Sequence, residues 1–129
     1  VSFHVPMVAE TGRSPVRIAR LRNGVAAGES EWIEVTDGSG LDASPWWSPD
    51  GGLLYFFSRR DGFECLWAQR LDPATKNPVG PAFDFYHFHG ARRVVNTSTV
   101  GPALSANKLV FSMGELSGNI WMAEQEGPR

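Results

Sequence analysis

The stretch Trp47-Ser48-Pro49-Asp50-Gly51-Gly52-Leu53-Leu54-Tyr55-Phe56-Phe57-Ser58 decides the fold of this chain. Proline followed by aspartate and two glycines favours a tight turn, because proline presets φ and glycine tolerates positive φ. The residues from Leu53 to Phe57 are apolar at every position, which fits a strand buried on both faces better than one with a solvated side. The stretch therefore predicts two antiparallel strands within a stack of sheets.

Two further strands follow along the chain. Asp61-Gly62 is a hairpin signal, and it predicts that Leu53–Ser58 pairs with a strand over Phe63–Leu71. After a polar connection, apolar and polar side chains alternate from Phe83 to Phe88, as in a fourth strand. Four short antiparallel strands separated by turns are typical of one β-propeller blade.

The pattern repeats along the chain. Leu66-Trp67-Ala68 and Ile120-Trp121-Met122 are 54 residues apart, and the preceding Ser58 and Ser112 have the same offset. A fainter copy at an offset of 50 aligns Gly12 with Gly62. Because a fixed period of this size indicates a repeat protein, we expect Trp67 and Trp121 to occupy equivalent buried positions.

We predict an all-β fold, a β-propeller portion of about three four-stranded antiparallel blades that is incomplete at both ends. The blades are expected at residues 1–42, 43–98 and 99–129. The strands expected in the central blade cover residues 45–48, 53–58, 63–71 and 83–88. Those expected in the outer blades cover 2–9, 14–21 and 32–36, and 102–105, 108–112 and 118–124.

The Ser48-Pro49-Asp50-Gly51 turn, the run to Ser58, Asp61-Gly62 and Leu66-Trp67 together resemble the repeat of TolB-type, WD-like bacterial propellers. The segment from Trp47 to His89 is also similar to the C-terminal propeller of large multidomain bacterial proteins. The resemblance implies a ring of six to eight blades used for protein contacts or sensing. It carries over no catalytic residue, and a fold by itself does not fix a function.

Charge and composition exclude several classes of partner. The net charge is −2 and no run of Lys or Arg forms a basic patch, so we predict no nucleic-acid partner. No apolar stretch approaches the length of a membrane span, so no membrane insertion is expected. Cys65 is the only cysteine, which excludes an internal disulfide and leaves the cellular compartment open. No cofactor is predicted.

Candidate binding residues come from propeller geometry. Loops that join the outermost strand of one blade to the innermost strand of the next share a face with the loops that join the second strand to the third within a blade. Such loops commonly hold binding residues. Trp46 is a separate candidate for a sugar-binding platform. The predicted partner-binding residues are Arg59, Arg60, Asp61, His89, Arg92, Arg93 and Trp46.

Neither a catalytic nor a metal site is predicted. His87 and His89 are two residues apart, so a strand would place both imidazoles on one face, where they could bind a metal. Two ligands do not make a site, and an ordinary role in an outer strand or loop is the alternative. Cys65 lies beside Leu66-Trp67 with no nucleophile motif, and we expect a small core residue.

The function expected is a non-enzymatic protein-binding or sensory module. The alternatives are the regulatory propeller of a peptidase or other hydrolase, and a carbohydrate-binding propeller. Three blades need twelve strands and the pattern supplies ten, which leaves open sides and unpaired edges. We therefore expect the chain to associate with a protein partner, with the remainder of a parent propeller or with a second copy of itself. Val1 aligns with the Gly51 turn, where a larger propeller could have been cut.

Overall fold

The computed structural model describes residues 1–4, 12–89, 93–95, 102–105, 108–115 and 117–122. Within these residues the chain is all-β, as predicted: strands make up 42% and no α-helix is present. The one helical element described is a 3₁₀ turn at Glu29–Glu31. Every strand pairing in this part of the chain is antiparallel.

The first sheet comes from the N-terminal third. Its strands lie in the order β1-β2-β5. A separate hairpin joins β3 to β4 through Asn23 and Gly24, both at positive φ (52° and 80°), as an Asn-Gly turn favours. The strands are β1 (Ser2–His4), β2 (Val16–Ile18), β3 (Leu21–Arg22), β4 (Val25–Ala26) and β5 (Ile33–Glu34).

The central sheet has four strands in sequence order, β6-β7-β8-β9, which confirms the predicted arrangement. The predicted turn chemistry is present, because Gly51 and Gly62 adopt positive φ of 69° and 91° between successive strands. A bulge in β6 lies where Ser44 also has positive φ. The strands are β6 (Ala43–Trp47), β7 (Leu53–Ser58), β8 (Cys65–Arg70) and β9 (Phe83–Tyr86).

Both faces of the central sheet are packed, as the apolar run in β7 predicts. Phe56 on one face belongs to a cluster with Val16 and Ile18 of the first sheet. Phe57 on the opposite face belongs to a second cluster, against which Leu109 packs. Because successive side chains of a strand point to opposite faces, β7 contributes to both clusters.

The described residues from Arg93 onwards include two small sheets. β10 (Arg93–Val95) pairs with β13 (Met113–Glu115), and β11 (Ala103–Leu104) pairs with β12 (Leu109–Val110). The β11–β12 pair lies where the first two strands of the third repeat are predicted.

The prediction for Trp121 is wrong. Its side chain is 88% exposed, whereas Trp67 is half-buried, and residues 117–122 form no strand. The physical reason is the absence of a flanking strand: Trp67 lies in β8 between β7 and β9, and no described strand flanks Trp121. The sequence match to Trp67 therefore did not correctly predict the degree of burial of Trp121, because burial requires strands on either side of the residue.

Candidate functional site

The turn between β7 and β8 positions the first group of the candidate site. Gly62 closes the turn by donating its backbone N–H to the carbonyl of Arg59 (2.9 Å). Asp61 supports it with one carboxylate oxygen, Oδ1, which accepts the backbone N–H of Phe63 (3.2 Å). The other oxygen, Oδ2, is therefore available to face the chain segment that follows β9.

Cys65 begins β8 and is fully buried, as expected of a small core residue. Its Sγ accepts the backbone N–H of Phe88 at 3.3 Å. This contact fixes the segment after β9 against β8, because Phe88 is itself buried in the second apolar cluster. His87 and His89 flank Phe88 on the chain, so their rings extend away from that cluster.

The rings of His87 and His89 contact the same carboxylate oxygen of Asp61. His87 Nδ1 and His89 Nε2 each lie 3.0 Å from Asp61 Oδ2, and they lie 3.1 Å from each other. Cys65 Sγ belongs to the same cluster, in which one potential ligand atom from each of the four residues lies within 4.8 Å of the others. The strand expected to place the two histidines on one face ends at Tyr86, before either of them, but their rings do lie side by side.

Further groups surround the cluster. The second ring nitrogen of His87, Nε2, lies 3.1 Å from a carboxylate oxygen of Asp84. Phe63 lies against the His89 ring with centroids 4.4 Å apart, and the His87 ring meets Trp67 edge-on at 6.0 Å. The histidine side chains remain 40% and 44% exposed, so the cluster is open to solvent on one side.

Two residues of this cluster, Cys65 and Asp61, have shifted pKa values. Burial raises the pKa of the Cys65 thiol, against a smaller opposing effect of the N–H that Phe88 donates to it. Burial also acts to raise the pKa of Asp61, but hydrogen bonds from His89 and the Phe63 backbone outweigh it, and the net pKa is lowered. Asp61 is therefore an anion at neutral pH.

Arg60, a predicted partner-binding residue, is engaged inside the protein. Its Nη2 donates to both oxygens of Asp42 at 3.1 Å, and its Nε donates to Ser58 Oγ at 3.0 Å. The guanidinium also lies over the rings of Phe56 and Trp67, 5.1 and 4.9 Å from their centroids. Since Asp42 is completely buried, this ion pair ties the chain before β6 to the end of β7.

The other predicted residues differ in their surroundings. Arg59 has an exposed side chain that pairs with Glu64 at 3.0 Å. Trp46 is half-buried between Tyr55 and Phe57, with centroids 6.0 and 5.4 Å away, so the indole is part of an aromatic cluster.

Two of the predicted residues, Arg92 and Arg93, cannot be joined to this site. Arg92 lies outside the described residues, and Arg93 is described only as backbone in β10. The prediction that the Arg92-Arg93 loop shares a face with Arg59-Arg60 stays a prediction.

The sequence analysis did not predict that Cys65 and Asp61 lie beside the two histidines. The signal that could have found it is strand register: Leu66 pairs with Tyr86, and continuing the antiparallel register by one residue places Cys65 opposite His87. That register requires the pairing of β8 with β9 to be known, and a loop of a dozen residues separates the two strands.

We compared the chain with protein-family models, curated proteins and solved structures, and none of them matches. Among the residues that the structure describes, no helix has the length and apolar character needed to cross a membrane.

Proposed function

We propose that this chain is a portion of a β-propeller with about three blades, and that it acts as a protein-binding module. One observation carries the proposal: the four-stranded central sheet is covered on both faces, by the first sheet on one side and by residues of β11 and β12 on the other. In a two-layer sandwich each sheet buries a single face. A radial stack of blades buries both faces of each interior blade.

Local geometry supports the repeat alignment behind this proposal. Gly12 and Gly62, which the offset of 50 residues places together, both adopt positive φ, 64° and 91°. The Ser48-Pro49-Asp50-Gly51 turn that resembles TolB-type repeats closes the β6–β7 hairpin, where Ser48 N–H bonds to the Leu53 carbonyl at 2.9 Å.

The binding surface that we propose is the apolar segment Ile120–Met122. Its three side chains are 99%, 88% and 90% exposed, whereas Leu66 and Ala68, which align with the first and last of them, are 1% and 0% exposed. Contiguous exposed apolar side chains mark interaction sites. The occupant we propose is a polypeptide that contributes flanking β-strands, and for the isolated chain it is a second copy of the same chain.

Light scattering at low micromolar concentration tests this function. The wild-type chain should show an apparent mass above the 14.2 kDa of one chain. Trp121→Ser should shift the distribution towards the monomer, because it removes the largest apolar side chain of the segment. Val25→Ser is the matched control, since Val25 is also an exposed apolar residue, at 69%, but lies in the β3–β4 hairpin.

Two outcomes would contradict the proposal. One is a stable wild-type monomer with no tendency to associate. The other is association that Trp121→Ser and Val25→Ser change equally, because the contact would then be nonspecific.

A further inference from the structure

We infer that Asp61, Cys65, His87 and His89 form a binding site for one zinc ion, in contrast to the expectation from sequence that no metal site is present. The inference goes beyond the proposed function and does not depend on it. It begins with the convergence of the donor atoms: Asp61 Oδ2, His87 Nδ1 and His89 Nε2 lie at the corners of a nearly equilateral triangle with sides of 3.0, 3.0 and 3.1 Å.

The size of this triangle matches a metal coordination face. Zinc binds imidazole nitrogen and carboxylate oxygen at about 2.0–2.2 Å, so an ion touching all three atoms would lie roughly 1 Å above the plane of the triangle. Cys65 Sγ, within 4.8 Å of the three atoms, is the fourth donor. Tetrahedral coordination would bring Cys65 Sγ to about 2.3 Å from the ion, which requires the thiol and the three other ligands to move closer together.

A neutral His87 has one ring proton for two neighbouring carboxylates, those of Asp61 and Asp84. If that proton is on Nε2, it bonds the Asp84 carboxylate, which lies 3.1 Å away. His87 Nδ1 then presents a lone pair to Asp61 Oδ2, which is also an acceptor. A metal cation bound between His87 Nδ1 and Asp61 Oδ2 would be coordinated by both lone pairs.

Two neighbouring groups contact the proposed ligands in the way that groups around bound metals commonly do. Asp84 orients His87 through the ring nitrogen that faces away from the cluster, as carboxylates do for zinc-bound histidines. The Phe88 N–H donates to Cys65 Sγ and would stabilise a thiolate there. Both contacts come from the segment that includes β9 and the residues after it.

The donor set selects the ion. Calcium and magnesium require mostly oxygen ligands, whereas one sulfur, two imidazole nitrogens and one carboxylate suit a borderline-soft ion such as zinc. Four protein ligands are typical of a closed, structural zinc site. Bound zinc would link the β7–β8 turn to the chain after β9, and so hold the outer strand of the central sheet in place.

The experiment uses the full chain after treatment with a chelator. Calorimetric titration with zinc should give one ion per chain. Titration with cobalt in place of zinc should give a thiolate-to-cobalt charge-transfer band in the near ultraviolet, together with the intense visible bands of tetrahedral cobalt.

Variants test two of the ligands, His89 and Cys65, and the supporting residue Asp84. His89→Ala, at a half-exposed position, should weaken zinc binding by more than about 100-fold, and Asp84→Asn, which acts through His87, by about 10–100-fold. Cys65→Ser should remove the charge-transfer band. Glu64→Gln is the matched control, because Glu64 lies in the same hairpin but pairs with Arg59, and it should bind zinc like the wild type.

Several results would overturn the inference: no zinc binding by the folded wild-type chain, equal binding by His89→Ala and Glu64→Gln, or a cobalt complex without the thiolate band. His89→Ala keeps the test decisive if Cys65→Ser does not fold, because Cys65 is buried and His89 is not. Light scattering of the metal-free chain tests the proposed function separately.

Discussion

Replacement of Arg60 by alanine should destabilise the chain far more than replacement of its neighbour Arg59. The Asp42 carboxylate is fully buried and accepts two hydrogen bonds from Arg60, whose side chain is only 22% exposed. Removing one partner of a buried ion pair leaves an uncompensated charge and costs about 3–5 kcal/mol. The exposed pair of Arg59 with Glu64 should contribute no more than about 1 kcal/mol.

Urea unfolding, followed by tryptophan fluorescence, measures the difference. With a slope near 2 kcal/mol per molar urea, typical of small proteins, the midpoint of Arg60→Ala should fall by roughly 2 M and that of Arg59→Ala by about 0.5 M or less. The two variants remove the same side chain at adjacent positions, so each serves as the control for the other.

A double variant separates the buried charge from other losses. Replacing Asp42 and Arg60 together by apolar residues should cost less than Arg60→Ala alone, because no unpaired carboxylate then stays buried. If Arg59→Ala and Arg60→Ala shift the midpoint equally, or if the double variant is the least stable of the set, the assignment of Arg60 to the interior of the protein is refuted.

Three other predictions concern stability. Phe56→Ala, at a completely buried site, should lower the free energy of unfolding by about 3–5 kcal/mol; Phe85→Ala, at a side chain that is 44% exposed, should cost clearly less in the same urea assay. Gly38→Ala should destabilise the folded chain more than Gly24→Ala, although both glycines have positive φ. An added Cβ at Gly38 would lie 2.4 Å from a backbone nitrogen, whereas one at Gly24 would meet open space. The thermal unfolding midpoints of the two variants measure the difference. Hydrogen bonds from the Ser48 hydroxyl and the Gly52 N–H lower the pKa of Asp50, so its stabilising effect is complete above the unfolded-state pKa of about 3.9 and is lost as the pH falls below it. Asp50→Asn should therefore flatten the decline of the urea midpoint below about pH 4, and a decline as steep as that of the wild type would contradict the assignment.

The central sheet could be predicted from sequence because its signals are local. Proline, aspartate and glycine occur together at the first turn, Asp61-Gly62 marks the second, and the apolar run of β7 specifies burial on both faces. The strands observed at these positions agree with those expected to within a few residues.

Trp121 was not predictable in the same way. The match to Trp67 is a property of sequence, but burial depends on strands that lie on either side of the residue. In the described part of the chain, β8 has such neighbours and residues 117–122 do not.

The candidate site was predictable only in part. The spacing of His87 and His89 indicated that the two rings could lie together, although β9 ends before them. The contribution of Cys65 depends on the register between β8 and β9. Arg60 was expected in an exposed loop because it precedes an Asp-Gly turn. Its buried partner Asp42 lies 18 residues earlier, and no local pattern links the two.

The packing of the central sheet between two others is the central claim, and nuclear Overhauser effects between selectively labelled side chains test it most directly. We expect the Phe56 ring to show contacts to the methyl groups of Val16 and Ile18, and the Tyr55 ring to those of Leu104 and Leu109. Both sets should be present in one sample, since adjacent residues of β7 point to opposite faces. Contacts from both rings to a single set of methyl groups, or loss of either set in the folded protein, would contradict a sheet packed on both sides.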